Sequence, residues 1–347
     1  MTPFPSRSSM AAPPDLASRL YSHLVEARNR MFDSGLLSSR AVPGAVVISV
    51  GNLSSGGSGK TPLAIYLVDE LNRRGARAAY VSRGYRGRAS SRGLVVSDGR
   101  GPRVDWQDCG DEAYLAADKL RGAPVVIGAD RYSATQKAVS HGSNVVVLDD
   151  GFQHRRLARD LDIVLVSPTD IEPGRRLLPV DPLREPASSL SRAHVIGGLV
   201  EDWRGRDDSP GLLFSVEPRA LVDGMGAELS GRQLEGFRAF LVTGVARPQR
   251  VRRALDRLGV QVAGERRFPD HHRFRPRELA ACEREARAAS ACGPVTTEKD
   301  RVRIPAARCS LPVFSLAVDT RVEAGEEPLW EANLARLQER MITLSTG

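Results

Sequence analysis

Apolar positions along the chain change period more than once, and each change marks an element. Over residues 15–32, Leu16, Leu20 and Leu24 recur with Tyr21 and Val25 at i, i+4 spacing beside Arg19, Arg28 and Arg30, which predicts an amphipathic helix capped by Asp15. Its stripe can dock on a protein core or lie in a membrane interface. From residue 45 the pattern shortens. Residues 45–50 read as a buried strand, a Gly-rich loop follows, and a helix with Leu63, Leu67 and Leu71 on one face runs to Gly75. Apolar runs at 78–81, 124–127, 144–148 and 162–166 alternate with helical stretches at 111–120 and 131–139. Alternation of this kind predicts an α/β fold whose mainly parallel sheet is covered by helices on both faces. Around 212–216 the chain leaves this unit, and a second β/α set begins with a strand at 239–243 and a helix at 248–258 followed by Gly259. The expected domains are therefore 1–216, with the amphipathic helix and the Gly-rich loop, and a smaller α/β domain, 217–347, closing over a cleft. A last helix is predicted near 327–340, and the Pro- and Ser-rich residues 1–14 are expected to fray.

Composition narrows the class. A chain of 347 residues fits two domains, and 41% hydrophobic content with aperiodic Gly and Pro excludes disorder and collagen-like structure. No apolar run approaches the ~18–20 residues that span a bilayer, and the N-terminal stretch lacks a signal-peptide core, so neither an integral membrane protein nor a Sec-exported one is expected. Cys109, Cys282, Cys292 and Cys309 show no metal-ligand spacing, which suits a reducing cytoplasm. The formal charge of +8 is carried by arginine, since Lys60, Lys119, Lys137 and Lys299 are the only lysines. Residues 247–277 hold ten arginines against Asp256, Glu265 and Asp270, a net of +7. Such a segment favours an anionic partner, whether nucleic acid, phosphorylated metabolite or membrane surface, or is a solvated Arg-rich face.

The Gly-rich loop carries the most specific chemistry. Gly56-Gly57-Ser58-Gly59-Lys60-Thr61 lies between a buried strand and a helix, where glycines let successive N–H groups point at phosphate oxygens. Lys60 can then reach the β/γ phosphates, and Thr61 can offer a hydroxyl to Mg²⁺. Ser54 and Ser55 precede it, and Ser54 occupies the place where the P-loop pattern has its first glycine. A P-loop fold also needs a strand ending in a carboxylate that faces the metal, and Asp149 and Asp150, followed by Gly151, supply it. Asp111 and Glu112 open a predicted helix, where carboxylates serve as caps or as chemistry. His271 and His272 follow Asp270. Adjacent histidines point in different directions, so they suit a surface pair, or an acid/base role if one meets a carboxylate from elsewhere.

These residues resemble a known family. The runs SVGNLSSGGSGKTP, SRGY at 82–85, GDE at 110–112, DDGFQH at 149–154, LLPVDPLREP at 177–186, FPDHH at 268–272 and TEKD at 297–300 are similar, in order, to the signature of the tetraacyldisaccharide 4'-kinases, the lipid A 4'-kinases of Gram-negative bacteria. The resemblance covers roughly residues 40–305. It implies transfer of the γ-phosphoryl of ATP, with Mg²⁺, to the 4'-hydroxyl of a tetraacylated glucosamine disaccharide 1-phosphate by a peripheral enzyme at the cytoplasmic face of the inner membrane. It also makes Ser54 agree with the family's own loop. By the same resemblance Asp111 is the base, supported by a histidine assigned to His271, with His272 the alternative. Asp149 and Asp150 serve the metal, and Tyr85, Glu112, Arg131, Gln153, Arg184 and Glu185 line the nucleotide and substrate cleft. The Arg-rich segment gains an anionic target in the substrate's 1-phosphate or in lipid headgroups.

Two other readings compete. A P-loop switch or chaperone-like NTPase would use hydrolysis to change a partner interaction, although no NKxD guanine motif occurs. A nucleic-acid-binding protein lacks a recognised motif and interleaved aromatics, so no nucleic acid is expected. No obligate protein partner is evident.

Overall fold

Runs rich in Val and Ile such as Val46–Asn52 form strands because both of their faces can be buried, and all seven of those residues are. The strands are β1 (Val46–Asn52), β2 (Ala78–Ser82), β3 (Leu94–Asp98), β4 (Pro124–Ile127), β5 (Val145–Asp149), β6 (Leu161–Leu165), β7 (Val195–Leu199), β8 (Leu212–Val222), β9 (Glu228–Leu229), β10 (Arg238–Thr243), β11 (Gln261–Arg267), β12 (Gly293–Thr297) and β13 (Phe314–Val322). The helices are α1 (Pro14–Asp33), α2 (Lys60–Arg73), α3 (Trp106–Cys109), α4 (Asp111–Lys119), α5 (Arg131–Ser140), α6 (Pro168–Ile171), α7 (Val200–Trp203), α8 (Pro248–Arg257), α9 (Pro276–Ala288) and α10 (Glu298–Arg301). This computed structural model describes residues 14–305, 310–323, 331–332, 335 and 339. The expectations for residues 1–13 and for most of 327–340 lie outside them.

The strands join in the order β11-β10-β12-β13-β8-β7-β6-β1-β5-β2-β4-β3, with β9 beside β8. From β8 to β4 neighbouring strands are parallel, with only β3 reversed at the edge. The set β10 to β13 is also parallel within itself, but β13 meets β8 antiparallel. Registers show how the halves connect. Leu212–Phe214 of β8 pair with β7, whereas Leu221 and Val222 pair with β9. The β8 strand therefore runs out of the first parallel set into the second, whose strands point back at the first. Residue 216, where the sequence pattern changes, falls inside β8: Leu212 and Phe214 pack in the core of the first set and Leu221 in that of the second. The result is the expected P-loop NTPase-like α/β architecture with a smaller β/α unit after it.

Helices cover both faces of the first set. Leu63, Leu67 and Leu71 of α2 and Ala113, Ala116 and Ala117 of α4 pack on Val46, Ile48 and Tyr80, while Ala134 and Ala138 of α5 pack on Val47 and Val146 from the other side. Full burial of each large apolar side chain is worth roughly 1.5–3 kcal/mol. The α1 helix docks through Ser18, Tyr21 and Val25. The Ser18 hydroxyl donates to the Leu177 carbonyl at 2.6 Å, the Tyr21 hydroxyl donates to the Arg184 carbonyl at 3.3 Å, and Val25 joins Leu53 and Phe152. Its other stripe, Leu16, Leu20 and Leu24, is 58%, 60% and 61% exposed. The single stripe read from the sequence is thus two, one docked and one facing out. Among the described residues, no helix is long and apolar enough to cross a membrane.

Glu185 corrects an expectation. It does not line a cleft but is fully buried, gripped by Arg28 of α1 at 3.0 Å, by the Asn29 amide at 3.1 Å and by Arg192. A carboxylate taken wholly out of water persists only with such partners. Glu185→Gln should therefore destabilise the fold by about 3–5 kcal/mol, by leaving two guanidinium groups without their counter-charge. Denaturant unfolding gives the magnitude, and limited proteolysis should show cleavage rising first around α1.

Candidate active site

The carboxyl end of β1 passes into residues 53–59, and α2 starts at Lys60. Gly59 caps that helix at φ 84°, a left-handed conformation a side chain would resist, and a Cβ there would also come within 2.9 Å of Phe214. The Asn52 amide donates to the Ser58 hydroxyl at 3.0 Å, and the Gln153 amide donates to the Asn52 carbonyl at 2.8 Å, so the base of the loop is held from both sides. Ser55 through Thr61 line a cleft of about 1370 Å³. A single small-molecule site takes about 300–1,000 Å³, so two substrates fit. Ser54 lies beneath the cleft, buried and bridged to Leu183.

The end of β5 faces this loop. The Thr61 hydroxyl donates to Asp149 Oδ2 at 2.7 Å, and Tyr80 donates to the same oxygen. Asp149 Oδ1 is buried without a hydrogen-bond partner. Burial, with Glu112 nearby, pushes this carboxyl up to about 6. Asp150 behaves oppositely. Burial alone would raise it, but Lys60, Arg184 and Arg131 hold it below the usual carboxylate range. Lys60 Nζ lies 3.6 Å from it, and Arg184 Nη1 contacts both its oxygens at 2.8 and 2.7 Å. Among the described residues no group of three or more His, Cys, Asp or Glu is arranged to hold a metal. The orphaned Asp149 oxygen beside the Thr61 hydroxyl nevertheless suits Mg²⁺, which takes one or two protein ligands and completes its shell from water and phosphate.

The second half supplies the opposite wall. His271 Nδ1 lies 2.8 Å from Asp111 Oδ2, and its Nε2 lies 3.3 Å from Lys299 Nζ. Lys299 also donates to Glu112 at 2.9 Å, and Arg303 Nε stands 3.3 Å from Asp111 Oδ2. Burial alone would raise the Asp111 carboxyl, but the His271 hydrogen bond and the Lys299 and Arg303 charges keep it low. His271 sits at φ 60°, as Arg86 and Asp150 do at 60° and 59°, and these three non-glycine residues all line the cleft. Strain of that sort concentrates at functional sites. His272 turns away, its Nε2 2.8 Å from Glu278 and its ring stacked on Phe268.

Of the expected site residues, Tyr85, Glu112, Asp149, Asp150, Arg184 and His271 line one cleft with the P-loop. Asp111 is buried directly behind His271. Arg131 and Gln153 lie behind the wall. Arg131 donates to the Gly128 and Ala129 carbonyls and burial lowers its pKa to about 10, while Gln153 braces β1. Sequence reasoning missed Lys299 as a contact of the histidine, Arg303 as the cation on Asp111, and Tyr80 as a donor to Asp149. The TEKD run held the only available signal, with Arg303 one helical turn after Asp300 and paired to it.

Likeness to known proteins agrees with this geometry. The profile of the tetraacyldisaccharide-1-P 4'-kinases matches residues 15–338. The chain belongs to the tetraacyldisaccharide 4'-kinase family. A tetraacyldisaccharide 4'-kinase of Anaeromyxobacter sp. (strain Fw109-5) is 41% identical, over 96% of this chain and 94% of that protein. One of Syntrophus aciditrophicus (strain SB) is 36% identical over 92% of each. Among solved structures, the "apo" form of LpxK from Aquifex aeolicus in complex with ATP aligns with a TM-score of 0.74 at 32% identity, over 94% of this chain and 97% of that one. Membership of the kinase family thus accounts for the P-loop, the carboxylates at the end of β5 and the FPDHH segment together.

The raised Asp149 carboxyl has a consequence for stability. Its proton is bound more tightly in the folded chain, where it titrates near 6, than in the unfolded one, where it titrates near 3.8. Stability is therefore lost as pH rises between those values, to a total on the order of 2–3 kcal/mol. Asp149→Asn should remove this loss, so that its advantage over the wild type in denaturant unfolding grows from about pH 4 to about pH 8. An advantage that is flat with pH would show that Asp149 ionises as freely in the fold as outside it.

Proposed function

We propose that the chain is an ATP-dependent kinase that phosphorylates the 4'-hydroxyl of a tetraacylated glucosamine disaccharide 1-phosphate. The observation that carries this is the Asp111–His271 pair set across one cleft from Lys60, Asp149 and Asp150. Switch NTPases need no base for an external hydroxyl, whereas a kinase does.

In this reading Lys60 leaves Asp150 and neutralises the β/γ phosphates, and the P-loop N–H groups hold them in line with the acceptor. Thr61 and Asp149 would hold Mg²⁺, which supplies charge neutralisation at the phosphate oxygens. Asp111 accepts from His271 Nδ1–H, which leaves Nε2 as the acceptor, the tautomer a general base requires; Nε2 now takes Lys299 Nζ at 3.3 Å, and it is freed for the hydroxyl when Lys299 stays on Glu112 alone. The hydroxyl oxygen attacks the γ-phosphorus, the bond to the β–γ bridging oxygen breaks, and the hydroxyl proton passes to Nε2. The family resemblance casts Asp111 as the base, and the geometry supports the two residues working as a unit, with the imidazole meeting the hydroxyl.

Attachment is peripheral, at the cytoplasmic face of the inner membrane. The outward stripe of α1, continued by Leu36 at 73% exposure, supports it. The Arg-rich segment contributes less than its +7 suggests, because Arg250, Arg257 and Arg266 pair with Glu201, Asp202, Glu217 and Glu285 from outside the segment.

Incubation with γ-labelled ATP and the acylated disaccharide tests the activity, since a switch NTPase would release labelled phosphate and label no lipid. Asp111→Asn and His271→Ala should each lower kcat by about 10²–10⁴-fold, and the double variant should lose little more than the worse single one. Fully multiplicative losses would separate their roles. Replacing Leu16, Leu20 and Leu24 together by Ser should weaken cosedimentation with liposomes by about tenfold or more and depress turnover of bilayer-embedded substrate more than of detergent-dispersed substrate. Equal effects in the two assays would leave the stripe without a membrane role.

A further inference from the structure

Two arginines of the second half lie on the phosphate loop itself. The turn after β10 packs directly on the P-loop glycines: a Cβ at Gly56 would meet Ala246 at 3.6 Å, and one at Gly57 would meet Arg247 Nε at 3.0 Å. Only a residue without a side chain, here at φ 60°, lets that arginine lie so close.

The two arginines are held differently. Arg250 donates to the Gly57 carbonyl at 2.7 Å, contacts both Asp202 oxygens at 2.6 Å and pairs with Glu201 at 2.6 Å. Those acceptors occupy its fork and pin the start of α8 to the loop. Arg247 has a looser contact, 3.4 Å to an Asp202 oxygen that already takes Arg250, and its side chain is 38% exposed in the cleft. Among the other arginines that line the cleft, Arg184 is committed to Asp150, Arg73 to Asp69 and Glu70, Arg219 to Glu228 and Arg257 to Glu217, while Arg86 donates to the Asp270 and His271 carbonyls at 3.4 Å; Arg303 is buried under Asp111.

Phosphoryl transfer moves negative charge onto the γ-phosphoryl oxygens and the leaving oxygen, and a guanidinium aimed there lowers the barrier. We infer that Arg247 is a further catalytic residue. Once ATP occupies the loop, its guanidinium exchanges Asp202 for the γ-phosphoryl oxygens, so the second half contributes a cation in cis opposite Lys60. Arg250 stays in place as the pin that sets the reach. This inference rests on the kinase reading above.

The test uses the full-length chain with γ-labelled ATP and the acylated disaccharide, with folding checked by thermal unfolding. Arg247→Ala should lower kcat by about 10²–10³-fold, in line with loss of one preorganised transition-state contact. Affinity for ADP, which lacks the γ-phosphate, should stay within about threefold. Arg247→Lys should fall between the two, and guanidinium ion added to Arg247→Ala should restore part of kcat while leaving wild-type kcat unimproved. A folded Arg247→Ala with kcat within about threefold of wild type, or a loss wholly in KM for ATP, overturns the inference. Absence of labelled lipid with the wild type would instead overturn the kinase reading, so the two failures are distinguishable.

Discussion

The pairing of β8 with β13 decides where every other group can be. Parallel strands present their carboxyl ends on one side, and loops there carry ligand sites. One parallel set can surround a nucleotide but leaves the far side of the phosphates to water. By running out of the first set and pairing antiparallel with the second, β8 turns the carboxyl ends of β10, β11 and β12 toward those of β1 and β5. Gly244 to Arg247, Asp270 to His271 and Glu298 to Lys299 are the segments that follow those three strands, and they close the cleft from the other side.

A cleft assembled this way holds many charges, and several of its cations are already paired with carboxylates before a substrate arrives. Lys60 rests on Asp150, Lys299 on Glu112, and Arg247 and Arg250 on Asp202. Unpaired, such groups would be costly where water is scarce. Held this way, they are exchangeable. An incoming phosphate competes for cations whose present partners are carboxylates at 2.6–3.6 Å, so binding energy goes partly into re-sorting pairs. The Asp149 carboxyl is the exception: it has donors on one oxygen only, and burial leaves it protonated at mildly acidic pH.

The local signals were legible because they are local. Strand and helix periods around residues 45–166, the P-loop and the Asp149–Asp150 pair depend on spacings of a few residues, and the structure reproduces them with shifts of one or two positions at the ends. Other features were not legible. Two-faced docking of α1 escaped because i, i+4 arithmetic does not say which of two adjacent stripes finds a partner. How far the net charge of 247–277 is offset was not legible because Glu201, Asp202, Glu217 and Glu285, which pair with its arginines, come from outside the segment. Arg303 and Lys299 escaped because their contacts with Asp111 and His271 join residues far apart in the chain, 192 positions apart for Arg303 and Asp111.

Arg184 and Glu185 are neighbours on one backbone, yet they serve opposite ends of the first half. The Arg184 guanidinium holds Asp150, its carbonyl takes the Tyr21 hydroxyl, and the Glu185 carboxylate holds Arg28 and Asn29. The α1 helix is therefore mechanically continuous with the phosphate site through a single peptide unit. For protein engineering this separates two operations that look equivalent. Deleting the helix to obtain a better-behaved enzyme would remove the Tyr21, Arg28 and Asn29 contacts that seat Arg184 and Glu185 next to Asp150, along with any attachment. Repainting only its outward leucines keeps that seat intact, which makes surface redesign, rather than truncation, the route to a soluble active form.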